Sequence, residues 1–241
     1  MDPGPTVPSA SVAARCDLVV VAAVEFEERA ADVARTLGLG VPLAGLPAGS
    51  ELAEGGLALV LDALGWSLVD PRPGAPGAVR CDLLEGGLAA RMRDGARGES
   101  RLAKALGLKR TPSPLVLDAT AGFGRESILA AALGCEVVAC ERSPVVALLL
   151  SDGLQRASDG GLVEMVERIA VRSADAREVM AEMVQAGTRP DVVLVDPMFP
   201  ERKKSAAVKK EMQLLQGLLP LDGPAEAEAL LVAALATARR R

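Results

Sequence analysis

The 241-residue chain contains no histidine and no tyrosine. Those absences exclude Ser-His-Asp and Cys-His hydrolysis, a histidine general base and histidine-ligated zinc. Aromatics are scarce, three Phe and one Trp, so an extended stacking platform for bases is not expected. Cysteine is limited to Cys16, Cys81, Cys135 and Cys140. No two of them form a CxxC pair. The expectation is therefore four free buried thiols, no metal site, and a reducing, cytoplasmic compartment. Residues 1–14 carry Asp2 and no apolar core, so they do not read as a signal peptide. The apolar run at 18–24 falls short of the roughly 20 residues needed to cross a bilayer. There is no general excess of positive charge either, the net charge being −5. Chemistry must run on carboxylates, Lys, Cys, Ser/Thr, backbone groups or a cofactor.

Half of the residues are hydrophobic and 24% are charged, the range of soluble globular proteins. The length suits one domain, or one plus a smaller partner. Residues 1–15, rich in Pro, Ser and Ala, read as a flexible tail. A strand is expected at 18–24, then a helix over 25–37 with Phe26, Ala30, Val33 and Leu37 on one face and Gly38 as its stop. Strands follow at 57–61 and 66–69, a Pro/Gly break at 71–77, and a further strand at 79–84. These make a small N-terminal α/β subdomain over 16–110. In the region 111–241 the alternation is regular. Strands at 115–117, 136–140, 169–171 and 192–195 are separated by helices at 125–133, 144–155 and 176–186. Apolar strands alternating with helices predict a parallel sheet covered on both faces and wound right-handed. The fold class expected is α/β, with a Rossmann-like sheet.

In open sheets of this kind ligands sit beyond the carboxyl ends of the strands. Four successive strands end at or near an acidic residue there: Asp118, Glu141, Asp175 and Asp196. Gly122 and Gly124 allow a tight turn and close approach of backbone to a ligand. The helix opening at Arg125 then offers unpaired N–H groups to a carboxylate or phosphate. Glu141, one strand-turn-helix-strand beyond Asp118, is placed to accept both hydroxyls of an adenosine ribose. Together these point to a nucleotide-like cofactor. Ser127 stands where the dinucleotide fingerprint wants a third glycine, and no Gly-Lys-Ser/Thr is present, which excludes a P-loop. Asp196-Pro197-Met198-Phe199 is the sharper signal. Pro197 favours extended backbone before it and brings no N–H. A carboxylate and carbonyls remain, acceptors suited to an exocyclic amine, with Phe199 able to stack on a flat base.

Several segments resemble a known family. They are the run from Asp118 to Glu126, Glu141-Arg142-Ser143-Pro144, Ser151-Asp152-Gly153-Leu154, the glycine- and arginine-rich stretch from Gly86 to Glu99, and the long run from Asp196 to Met212. Over residues 57–241 the chain is similar to the ribosomal RNA small subunit methyltransferase J family. The resemblance implies a class I methyltransferase fold and S-adenosyl-L-methionine as cofactor. It implies methylation of N2 of a guanine in small-subunit ribosomal RNA, with naked rRNA or the 30S particle as partner and no membrane or metal. It places Arg125, Glu126, Glu141, Arg142, Asp175, Ala176 and Asp196 at the cofactor, beside Asp118, Gly122 and Gly124 read from the strand ends and the turn. The residues themselves make Asp196, Pro197 and Phe199 the expected catalytic turn. Two departures stand out. The family carries a histidine in the segment holding Arg91, and it continues past the final helix into further strands, so the sheet here is expected to lack its last C-terminal strands. Other nucleic-acid N-methyltransferases, or a non-catalytic cofactor- or RNA-binding module, are the competing readings.

An RNA partner needs local positive charge on this acidic chain. Arg202, Lys203, Lys204, Lys209 and Lys210 stand against only Glu201 and Glu211, directly after the Asp196 turn. Between residues 79 and 110, eight basic residues face four acidic ones. The first cluster is the expected RNA-binding segment.

Overall fold

In the computed structural model, residues 18–46, 52, 56–75, 77–93, 100–196, 214, 218 and 223–239 are described. The 1–15 tail, Cys16, Pro197, Phe199 and the basic residues Arg202, Lys203, Lys204, Lys209 and Lys210 lie outside them. Contacts divide the described residues into two compact units, 18–81 with Leu214 and Leu218, and 82–196 with 223–239.

In the first unit, strand β1 (Leu18–Ala22) leads through a 3-10 turn into helix α1 (Glu27–Leu37), then to β2 (Leu57–Asp62) and β3 (Gly65–Val69). The sheet order is β1-β2-β3, with β1 parallel and β3 antiparallel to β2. The valine run of β1 suits the pleated, half-buried backbone. Helix α1 buries Ala30, Ala34 and Leu37, with Phe26 and Val33 half-buried. It ends at Gly38 in a left-handed conformation (φ 68°), where the Leu39 N–H donates to the Ala34 carbonyl at 2.8 Å. The strand expected at 79–84 does not form. Val79 makes only an isolated antiparallel bridge to Leu68. Arg80 instead turns to the Asp62 carboxylate at 2.8 Å, and Asp82 accepts from the N–H groups of Leu84 and Glu85 at 2.9 and 3.1 Å. An acidic side chain capping its own following backbone favours a turn over a strand.

The second unit begins with α2 (Gly86–Arg93) and α3 (Ser100–Ala105), followed by β4 (Leu115–Asp118), α4 (Arg125–Ala132), β5 (Glu136–Cys140) and α5 (Pro144–Ala157). Then come α6 (Val163–Val166), β6 (Ile169–Arg172), α7 (Ala176–Gln185), β7 (Val192–Leu194) and α8 (Pro224–Thr237). The described residues of 82–110, expected in the small subdomain, therefore fall in the second unit. Here α2 touches α4, and residues 103–110 line a cavity of about 980 Å³ with β7 and α8.

The second sheet runs β6-β5-β4-β7, all parallel. The chain thus steps outward from β4 to β5 to β6, then returns to the other side of β4. That reversal creates a topological switch point between β4 and β7. On one face Leu117, Cys140, Ala176, Val179, Met180 and Ala234 form a buried cluster joining the sheet to α7 and α8. The helices α4 and α5 bury Ile128, Leu129, Val145, Val146, Leu149 and Leu150. Coverage is incomplete at one end. Alternate residues of β6 are exposed, including Arg172, which pairs with Glu182 at 2.7 Å. Of the four thiols, the three among the described residues, Cys81, Cys135 and Cys140, are buried and in no disulfide.

Candidate active site

Asp118 closes β4 and is buried. One of its carboxylate oxygens accepts from the Ser127 hydroxyl at 2.7 Å and the other from the Thr120 N–H at 3.2 Å. Burial pushes its carboxyl from an ordinary 3.8 up to about 6, against the pull of those two donors; the nearby charges of Glu126 and Asp196 raise it further. Asp118 therefore ties the turn at 119–124 to α4. Ser127, which looked only like a missing glycine, is the residue that holds it.

Gly122 and Gly124 both have positive φ, 54° and 71°. A Cβ at Gly124 would lie 2.5 Å from Leu150 Cδ1, so the turn is pressed onto α5. At Gly122 a Cβ would meet nothing within 4 Å. The turn is thus tight on its inner side and open at Gly122. The Gly122 N–H donates to Glu141 at 3.0 Å, and the Ser143 N–H donates to the other Glu141 oxygen at 2.7 Å. Burial raises the Glu141 carboxyl, while these two N–H groups and the charge of Arg142 lower it. Glu141 is thereby fixed between the β4–α4 and β5–α5 loops, with lone pairs to spare.

Asp175 caps α7, accepting from the Arg177 N–H at 2.8 Å and pairing with its guanidinium at 2.6 Å. Those bonds hold its carboxyl below the usual range, with a contribution from Arg142. The neighbouring Ala176 is buried, while Arg125 and Arg142 are exposed and Glu126 is half-buried. Asp152, in the α5 motif, is buried and pairs with Arg156 at 3.0 Å. Asp196 is exposed just past β7, and its N–H donates to Thr120 Oγ1 at 2.8 Å. The structure therefore bonds Gly122 directly to Glu141, braces their turn through Asp118 and the packing of Gly124 on Leu150, and brings Asp196 to the same loop. Asp175 is bonded to Arg177 at the start of α7. Sequence reasoning missed Thr120, Ser127 and Ser143. The Ser143-Pro144 pair opening α5 is the one signal that pointed to a helix cap there.

The site fits an adenosine-bearing cofactor: an open backbone at Gly122, a fixed carboxylate one strand along, and a helix start at Gly124 with no side-chain cap. A family described as "Putative SAM-dependent methyltransferase" matches residues 50–241. The chain is 43% identical over 218 residues to ribosomal RNA small subunit methyltransferase J of Thioalkalivibrio sulfidiphilus, covering 90% of this chain and 82% of that one. It belongs to the ribosomal RNA small subunit methyltransferase J family. Its relative in Tolumonas auensis is 51% identical over 168 residues, spanning 68% of this chain and 65% of that one. Among solved structures, a SAM-dependent methyltransferase from Neisseria gonorrhoeae superposes with a TM-score of 0.64 at 30% identity, over 91% of this chain and 81% of that one. The family's cofactor is S-adenosylmethionine, and the Rossmann-like sheet expected from the sequence is the family's fold. Among the described residues no group of acidic or thiol side chains is placed to hold a metal ion, and no helix is long and apolar enough to cross a membrane.

Proposed function

We propose that this chain methylates the N2 amine of a guanine in small-subunit ribosomal RNA, in the cytoplasm, with naked rRNA or the 30S particle as substrate. The observation that carries this reading is the position of Asp196: a carboxylate at the rim of the switch point, bonded through its backbone to the loop that contains the glycine turn. The names of relatives at 43% and 51% identity support the substrate class.

S-adenosylmethionine, when bound, supplies an electrophilic methyl group on a sulfonium. The remaining work is positioning by the chain's own residues. Glu141, already held by two N–H groups, keeps its remaining lone pairs for the ribose hydroxyls. Gly122, Gly124, Arg125, Glu126, Arg142, Asp175 and Ala176 line the rest of the cofactor's place, and Asp118 braces the turn from behind. Asp196 accepts the hydrogens of the guanine amine, orients its lone pair, and takes the proton it loses, or passes that proton to water. Pro197 stiffens the corner and Phe199 offers a flat face to the base. Arg202, Lys203, Lys204, Lys209 and Lys210 engage RNA phosphates.

Purified protein incubated with the cofactor and unmodified small-subunit rRNA, naked or assembled, is expected to yield N2-methylguanosine on nucleoside mass spectrometry. Asp196→Ala is expected to lower the rate by about two to three orders of magnitude while still binding the cofactor. A methyl group on another base or atom, or near-normal turnover by that variant, contradicts the assignment.

A further inference from the structure

The end of β7 and the loop after β4 are stitched together at two successive residues. The Ala119 N–H donates to the Leu194 carbonyl at 2.9 Å, and the Asp196 N–H donates to the Thr120 hydroxyl oxygen at 2.8 Å. Both bonds lie at the switch point between β4 and β7. The second bond is not needed to satisfy a buried group. Asp196 is exposed, and water can serve an exposed N–H. The value of that bond is geometric. The Thr120 N–H is in turn bonded to Asp118, which Ser127 anchors to α4, so the hydroxyl projects from a fixed backbone. The residue after Asp196 is a proline, which has no N–H. With its own N–H occupied, Asp196 presents acceptors, a carboxylate and a carbonyl, where the chain leaves the sheet.

We infer that Thr120 is a positioning residue: its hydroxyl holds Asp196 beside the cofactor loop and, by occupying the Asp196 N–H, leaves a corner of acceptors that favours an amine over a carbonyl oxygen as the group presented for methylation. This deepens the functional reading above and rests on it. The sequence motif pointed to the carboxylate and the proline; the threonine that disarms the remaining donor is 76 positions away.

The test compares wild type with Thr120→Val, which keeps the shape and loses the acceptor, and with Thr120→Ser, which restores it. Three quantities are measured: kcat on small-subunit rRNA, the dissociation constant of S-adenosylmethionine by calorimetry, and the exchange rate of the Asp196 amide by NMR. Thr120→Val is expected to lower kcat by about tenfold or more, to leave cofactor affinity within about twofold, and to speed exchange at Asp196. Thr120→Ser is expected to track wild type on all three. If Thr120→Val does not fold, Thr120→Ala carries the same comparison. The inference is overturned by a valine variant with wild-type kcat, by unchanged amide exchange, by a parallel loss of cofactor binding, or by a serine variant as impaired as the valine one. Failure of wild type to methylate guanine in rRNA is a separate result: it removes the functional reading, while cofactor affinity and amide exchange still report whether the clamp exists.

Discussion

Asp118 and Asp196 stand near each other in very different surroundings, and their environments divide their work. Asp118 is buried with both oxygens engaged, so it is a brace, whereas Asp196 is exposed with its backbone held. The sequence grouped these strand-end acids as one set of ligand contacts because it shows where carboxylates fall, not which of their oxygens are already taken. A carboxyl whose folded value lies above its unfolded one binds more protons when folded. Asp118 therefore contributes most to stability below its ordinary 3.8, and that contribution is lost as pH rises to about 6. Asp118→Asn removes this titration. Compared with wild type in urea unfolding, the variant is expected to gain roughly 1–3 kcal/mol in relative stability between low pH and neutrality. A pH-independent difference between the two proteins would contradict that account.

The four parallel strands of the second unit were legible because each is a short apolar run, three of them bounded by glycine, proline or an acid; β5 matches its expected span of 136–140. The order of those strands was not legible. Nothing in the sequence says that β7 returns beside β4, and the site's geometry depends on that return. The misread segment at 79–84 failed for a local reason: valine and leucine favour a strand, but Asp82 caps the following backbone and diverts it toward α2. The β4–α4 turn is the element where a single atom matters most. Gly124→Ala places a Cβ against Leu150 in a left-handed backbone conformation and is expected to cost about 1–3 kcal/mol, read as a lower urea midpoint. At α7, Asp175→Ala removes the cap on the Arg177 N–H and is expected to cost about 1 kcal/mol, seen as a fall of a few degrees in Tm.

As a whole, the chain is acidic and must meet a polyanion through restricted basic segments. Binding to small-subunit rRNA is expected to weaken steeply with salt, with a log–log slope near −0.7 to −0.9 for each phosphate neutralised. Replacing Lys203, Lys204, Lys209 and Lys210 with alanine is expected to flatten that slope without changing cofactor affinity; an unchanged slope, measured by filter binding across a salt series, moves the RNA surface elsewhere. The family and its methyl donor were legible from the strand-end acids, the glycine turn and the long motif that begins at Asp196. The boundary between the units was not, because the described residues of 82–110, a stretch mixing glycine with basic residues and expected in the N-terminal subdomain, fall in the second unit. The most direct test of the central claim is mass mapping of small-subunit rRNA from cells with and without this protein. The account predicts a single guanine that carries an N2-methyl group only when the protein is present and loses it when Asp196→Ala is substituted. An identical methylation map in both cells would contradict it.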